Sequence, residues 1–199
     1  MQGKKQTSFL HNLAAMNETI TLKNNASVTI RLLQNDEEER LFNYFSELSA
    51  ETKSRFGPHL FDRETVRYIV NEQASDIYRY VALDGQQEIV AYMLIKNGML
   101  EGEQYRLKQN NVAFEEALFC TFAPSIADAW QSSGLGSAMY QVIEHDIRDN
   151  MPYRFIILWG GVQAKNAKAI GFYQKQGFQQ IGSFWYDGKD NHDMIKNLY

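Results

Sequence analysis

The stretch Gln131-Ser132-Ser133-Gly134-Leu135-Gly136 has the composition of an anion-binding loop. Two glycines spaced by one residue at the start of a helix let the backbone approach a ligand closely. The first amide groups of that helix have no partners within it, and the helix dipole adds partial positive charge. We therefore expect a phosphate or pyrophosphate group to bind here.

Other phosphate-binding motifs fit this loop less well. The dinucleotide fingerprint needs a third glycine, and Met139 stands at that position. The Walker pattern G-x-x-x-x-G-K-[ST] does not occur in the sequence. Glycines that open a helix for packing reasons alone remain the simplest alternative.

A second motif lies downstream, at residues 166–178, where the sequence reads Asn-Ala-Lys-Ala-Ile-Gly-Phe-Tyr-Gln-Lys-Gln-Gly-Phe. It matches N-x-x-A-x-x-F-Y-x-x-x-G-F, while residues 131–136 match Q/R-x-x-G-x-G/A. Together and in this order, the two motifs resemble those of the GCN5-related N-acetyltransferase (GNAT) family. The resemblance covers about residues 27–199 and is most specific over residues 126–178.

This resemblance implies an α/β fold with a mixed, mostly antiparallel sheet, a splayed parallel strand pair in its middle and helices on both faces. It implies acetyl-CoA as the acyl donor, with no metal. Ser132 departs from many relatives, which have glycine there, but a small residue should still fit. The implied CoA-binding residues are Ser125, Ile126, Ala127, Gln131, Ser132, Ser133, Gly134, Leu135, Gly136, Ser137, Asn166, Ala169, Phe172 and Tyr173.

Acyl transfer to an amine requires a neutral amine, a stabilised oxyanion and a protonated leaving thiolate. The resemblance assigns the last task to Tyr173 and oxyanion stabilisation to a backbone amide near Ile126; packing is the alternative role for Tyr173. The general base is less clear. Some relatives carry a glutamate where this chain has Thr121, and Glu116 is our candidate for a water-mediated base, with a solvated charge at a strand end as the alternative.

The surrounding pattern predicts the elements that position these residues. Hairpins are expected at residues 19–33, at Asp84-Gly85 and at Asp187-Gly188. Amphipathic helices are expected from a cap at Asn35 or Asp36 to Glu47, over 63–72 and over 134–149, and Asn166 should cap another. A strand is predicted over 113–122, followed by Pro124, which marks an edge or a bulge. Residues 154–159 read as a buried parallel strand.

Residues 97–111 form a polar stretch that is long for a simple hairpin link. It contains Gly98 and Gly102, so we interpret it as a loop-like insertion near the acceptor mouth. A solvent-exposed excursion is the alternative. Because Met99, Leu100, Tyr105 and Leu107 are apolar, the stretch could also cap the sheet edge or pair with a second subunit.

Composition limits the other possibilities. The 199 residues are 44% hydrophobic, which suits one domain with a core, and the net charge of −4 without a basic run argues against nucleic acid. No apolar stretch approaches the ~20 residues of a membrane span, and polar residues interrupt Phe9–Leu13, so we expect a cytoplasmic protein. Cys120 reads as a buried hydrophobe, and the scattered histidines indicate no metal site.

These observations predict an N-terminal extension over residues 1–18 and a single acetyltransferase domain over 19–199. The expected activity is transfer of an acetyl group from acetyl-CoA to a primary amine by direct attack in a ternary complex. The protein should act as a monomer or homodimer, without nucleic acid or membrane. The rival hypothesis is a non-catalytic acyl-CoA-binding sensor or interaction module on the same fold.

Overall fold

A nine-stranded sheet forms the centre of the computed structural model, which describes residues 16–71 and 75–199. The strand order is β1-β2-β3-β4-β5-β6-β9-β7, and β8 pairs with β9. The strands are β1 (Asn17–Thr21), β2 (Ser27–Leu32), β3 (Ile77–Leu83), β4 (Ile89–Asn97), β5 (Phe119–Ile126), β6 (Phe155–Leu158), β7 (Val162–Gln163), β8 (Gln179–Tyr186) and β9 (Lys189–Asn197).

Helices cover both faces of this sheet. They are α1 (Glu38–Glu47), α2 (Ala50–Lys53), α3 (Arg63–Asn71), α4 (Glu101–Gln109), α5 (Leu135–Asn150) and α6 (Ala167–Lys175). Side chains alternate across a strand, so Tyr92 of β4 packs in the cluster of α1 and α3, while its neighbour Met93 packs in that of α5 and α6. This explains why β4 is apolar throughout.

The parallel pair β5–β6 separates partway along its length. Pairing runs from Phe119–Phe155 to Phe122–Leu158, and the N–H of Trp159 then donates to the C=O of Phe122 at 2.9 Å. Beyond this point β5 pairs only with β4, so a V-shaped opening, the splay, lies between the ends of β5 and β6. All other strand pairs are antiparallel, which confirms the predicted fold class.

Pro124 lies in the part of β5 that pairs with β4 but no longer with β6. Its pairing with β4 is continuous from Ala91–Ile126 to Asn97–Cys120, so there is an edge here and no bulge. The N–H of Ala127 donates to the C=O of Val90 on β4 at 3.0 Å. Because strand amides alternate in direction, the positions of Pro124 and Ile126 face the splay, where a missing donor breaks no sheet bond.

The inserted stretch 97–111 is a helix, not a loop. Helix α4 starts after Leu100, and the Glu103 carboxylate accepts a hydrogen bond from the Leu100 N–H at 2.9 Å. Its buried side is formed by Met99, Glu103 and Leu107, spaced four residues apart. The stretch still joins β4 to β5, as predicted.

Several predicted boundaries differ from the structure. Strand β5 starts at Phe119 rather than at residue 113, because β4 turns away beyond Asn97 and leaves the earlier residues without a partner. Helix α1 starts at Glu38, because the buried carboxylate of Glu37 accepts bonds from Arg31 and from the Gln34 N–H. β1 begins at Asn17 rather than at residue 19, and β7 was not predicted. The predicted features of residues 1–15 lie outside the described residues.

Candidate functional site

A cleft of about 1090 Å³ opens at the splay. The end of β5, the loop before α5, helix α6, the loop after β6 and helix α4 all contribute to its walls. The predicted CoA-binding residues that line it are Ser125, Ile126, Gln131, Ser132, Gly134, Gly136, Ser137, Asn166, Ala169, Phe172 and Tyr173. Ala127, Ser133 and Leu135 do not line it.

The loop before α5 has the geometry of an anion cradle. Ser132 and Gly134 have φ angles of 65° and 92°, in the left-handed region. The first bond within α5 runs from the Ala138 N–H to the Gly134 C=O, at 3.1 Å, so the preceding helical amides have no carbonyl partner in the helix. A Cβ at Gly136 would lie 2.9 Å from Cδ1 of Ile126, so a larger residue here would have to push the end of that side chain aside. These residues fit a pyrophosphate group.

Two predicted residues that do not line the cleft support this loop from behind. The Ser133 hydroxyl donates to the C=O of Trp130 at 2.6 Å and accepts from the N–H of Leu135 at 3.2 Å. Leu135, the first residue of α5, is fully buried in the core. Their role is therefore to hold the loop in shape.

Helix α6 presents Tyr173 to the same cleft. Asn166 caps this helix as predicted, since its side chain accepts a hydrogen bond from the N–H of Ala169 at 3.2 Å. The ring of Tyr173 packs against Phe172 and Phe178, and its hydroxyl has no hydrogen-bond partner among the described residues. Burial raises the pKa of the Tyr173 phenol, which therefore stays protonated at neutral pH.

The end of β5 offers a free backbone donor. The amide of Ile126 points into the splay, opposite the bond that Ala127 makes to β4. The neighbouring Ser125 side chain is not available in the same way, because its hydroxyl lies 2.8 Å from the Tyr44 hydroxyl on α1. An oxyanion in the splay would thus meet the amide of Ile126 rather than the Ser125 side chain.

The side chain of Gln131 belongs to a polar network at the cleft entrance. Its amide donates to the Thr52 hydroxyl at 3.2 Å and accepts from the ammonium of Lys168 at 2.9 Å. Asp128 accepts bonds from Ser49 and Thr52, and these bonds hold its pKa below the usual range. The network links α2 to the loop before α5, residues 131–134, hereafter called the anion loop.

Glu116 does not reach the cleft. It is exposed in a short 3-10 turn before β5, at the opposite end of that strand from Ile126. The eight residues of β5 make this separation roughly 25 Å. Besides Asp187, the carboxylate that lines the cleft among the described residues is that of Glu103 on α4. Sequence reasoning expected it to favour a cationic amine if its stretch lay over the acceptor mouth, but did not name it as a base.

Comparison with known proteins bears on this arrangement. The profile of the Acetyltransferase (GNAT) family matches residues 42–178, which is more than half of the chain. This chain belongs to the GNAT acetyltransferase family. The match includes β5, the anion loop and α6, so the GNAT motifs predicted at 131–136 and 166–178 lie within the matched part. Comparison with curated proteins found no match.

Solved structures show the same GNAT fold. The GNAT domain of S. lividans PAT has a TM-score of 0.73 and 22% identity, over 92% of this chain and 98% of that one. A GNAT-family acetyltransferase from Streptococcus pneumoniae has a TM-score of 0.66 and 21% identity, over 86% and 99%. Ribosomal-protein-S5-alanine acetyltransferase from Vibrio fischeri has a TM-score of 0.69 and 13% identity, over 91% and 97%.

Two absences concern residues 16–71 and 75–199. No group of three or more His, Cys, Asp or Glu side chains there is placed to hold a metal ion. None of the helices in this part of the chain is both long and apolar enough to cross a membrane.

Proposed function

We propose that this GNAT protein transfers an acetyl group from acetyl-CoA to a primary amine by direct attack in a ternary complex. The observation that carries the proposal is the single cleft that joins the anion loop, the splay and the Tyr173 hydroxyl. The partners are acetyl-CoA and an amine acceptor in the cytoplasm, with the protein acting as a monomer or homodimer.

Each part of the cleft has a task in this reaction. The backbone amides at the start of α5 bind the pyrophosphate of the donor, which supplies an activated acyl thioester. The N–H of Ile126 donates to the oxyanion, and a donor of this kind is worth about 3 kcal/mol. The Tyr173 hydroxyl donates a proton to the departing sulfur. In water a thiol has a pKa of about 8.5 and a phenol about 10. Burial at the splay disfavours both anions, so the departing thiolate is also a stronger base there and can take the proton of Tyr173.

The raised pKa of Tyr173 supports its role as a donor rather than a base. A buried phenol holds its proton at neutral pH, and its hydroxyl has no other acceptor among the described residues. The sulfur of a leaving thiolate would provide that acceptor.

Thiol release tests the proposal against a non-catalytic acyl-CoA sensor. The protein is incubated with acetyl-CoA and four amines, namely a lysine-containing peptide, alanine amide, spermidine and glucosamine, and free CoA thiol is measured. Turnover that depends on one of the amines supports the enzyme. CoA binding in calorimetry without thiol release for any amine would support the sensor instead.

A further inference from the structure

Glu103 occupies the point where β5 and β6 begin to separate. One carboxylate oxygen accepts the N–H of Gly160, just after β6, at 3.0 Å. The other oxygen accepts the N–H of Leu100 at 2.9 Å and lies 3.1 Å from the Thr121 hydroxyl on β5. The carboxylate therefore spans the closed end of the splay, on the face covered by α4.

This carboxylate is buried without a salt bridge among the described residues, although the charge of Arg106 offsets part of the effect of burial on its pKa. Glu103 is 1% exposed, and its three hydrogen-bonding neighbours are all neutral. Arg106, one turn along the same helix, directs its guanidinium to Asp193 instead. A buried carboxylate with no cationic partner is costly, and a cation entering the cleft would relieve that cost.

The carboxylate also retains capacity for one more donor. Two carboxylate oxygens offer about four acceptor sites, and the N–H groups of Leu100 and Gly160 use two of them. The single proton of the Thr121 hydroxyl is shared with the C=O of Gly98, 2.8 Å away. Of the two carboxylates that line the cleft among residues 16–71 and 75–199, the other, Asp187, sits in the β8–β9 turn. Glu103 is thus the carboxylate at the splay itself.

We propose that Glu103 is the catalytic base that takes the proton from the acceptor ammonium. This rests on the proposed acetyl transfer. The proton passes from the ammonium to Glu103, and the freed lone pair forms the N–C bond to the thioester carbon. The C–S bond then breaks as Tyr173 gives its proton to the departing thiolate. The second proton of the nitrogen returns through water to the Tyr173 oxygen, and Glu103 releases the first proton to solvent after the products leave. The base is supplied by the helix inserted between β4 and β5 and not by β5.

The surroundings of Glu103 make it suitable for this task. Burial raises the pKa of its carboxyl, and a base with a higher pKa takes a proton from an amine more readily. The charged group that acts on it is Arg106 on its own helix, which is bound by Asp193 on β9; Arg55, after α2, is a further cation that lines the same cleft. The neighbours from β5 and from the loop after β6 are a hydroxyl and an amide, which do not titrate.

The test uses Glu103→Gln, with Glu101→Gln as the matched control. Glu101 is exposed on the same helix, so the control removes the same charge outside the cleft. With the amine of the panel that gives the fastest thiol release, we expect Glu103→Gln to lower kcat about 100- to 10,000-fold at pH 7, while CoA binding in calorimetry is unchanged. Its kcat/KM should rise about tenfold per pH unit from pH 7 up to the pKa of the acceptor amine, which is about 10.4 for a lysine side chain and about 8 for an α-amino group, as the amine loses its proton unaided, while the wild type changes little.

A loss of rate that is constant with pH, or wild-type turnover in Glu103→Gln, overturns the proposal. In Glu103→Gln the side-chain NH2 group replaces an oxygen that accepts from the N–H of Leu100 or Gly160, so two donors would face each other and the fold could be destabilised. Thermal unfolding of the variant is therefore measured as well. Should this variant fail to fold, Glu103→Asp keeps the charge but withdraws it from the cleft, and wild-type turnover in that variant also overturns the proposal. A wild type that binds CoA but releases no thiol with any of the four amines overturns the proposed function, and Glu103 as base with it.

Discussion

Both carboxylate oxygens of Asp193 on β9 accept hydrogen bonds from the guanidinium of Arg106 on α4, at 2.8 to 3.0 Å. Asp193 is 1% exposed, and the guanidinium also lies 3.8 Å above the centre of the Phe184 ring. This pair fastens the inserted helix to the β8–β9 hairpin. The position of Glu103 in the cleft depends on that attachment.

We expect Arg106→Ala to destabilise the protein by about 3–5 kcal/mol, because it leaves the Asp193 carboxylate buried without a partner. Urea unfolding measures this difference. The double variant Arg106→Ala/Asp193→Ala should recover part of the loss, since no unpaired charge remains. If Arg106→Ala is as stable as the wild type, the pair does not hold the helix.

We expect Gly134→Asp to weaken CoA binding at least about 100-fold, because it places a negative charge in the anion cradle and removes charge-assisted bonds of about 1.5–3 kcal/mol each. Calorimetric titration with CoA checks this. Gly177→Asp is the control, since Gly177 has a similar φ of 87°, against 92° for Gly134, and does not line the cleft. Equal CoA affinities in the two variants would show that the loop before α5 is not where the phosphates bind.

We expect Tyr173→Phe to reduce turnover roughly 10- to 1000-fold, because it keeps the ring between Phe172 and Phe178 and removes only the proton donor. Steady-state thiol release measures turnover, and calorimetry should show nearly unchanged CoA binding. Tyr105→Phe, at an exposed tyrosine of α4, is the control. Normal turnover in Tyr173→Phe would reduce Tyr173 to a packing residue.

His59 should make stability depend on pH. Burial lowers its pKa to about 4, whereas an unfolded histidine has a pKa of about 6.5. The stability it contributes is complete above pH 6.5 and is lost as the pH falls toward 4, by on the order of 2 kcal/mol for this partly exposed ring.

Urea unfolding between pH 7.5 and pH 4.5 tests this expectation for His59. His59→Gln should flatten the dependence of stability on pH, because it removes the group whose two protonation states differ. His145→Gln, at a side chain that is 76% exposed on α5, should retain the wild-type dependence. Identical slopes in the two variants would assign the effect to other groups.

The sequence revealed the anion loop and α6 because each is a local motif. The hydrogen bond from the N–H of Ala169 to the Asn166 side chain spans only three residues. Gly134 has a positive φ, and Gly136 packs closely against Ile126, so both glycines mark the loop in the sequence itself. The separation of β5 from β6 was expected from the family resemblance, and Pro124 was its local sign.

Helix α4 escaped prediction because its buried face looks polar. Met99, Glu103 and Leu107 have helical spacing, but a charged residue in the middle hides the apolar pattern. That spacing, with Glu103 three residues after Leu100 as in a capping box, was the signal available. The approach of Glu103 to Thr121 on another element could not be predicted, because no local pattern encodes contacts between distant segments.

The last strand of the sheet in sequence is not at its edge. β9 pairs with β8 along one side and with β6 and then β7 along the other, and its residues Lys189 and Asn191 line the cleft. During synthesis, β6 therefore has a neighbour on one side only until β9 has left the ribosome. The inner strand β6 is an open edge in the nascent chain, exposed to pairing with other polypeptides, and the cleft is complete only once β9 has paired with β6.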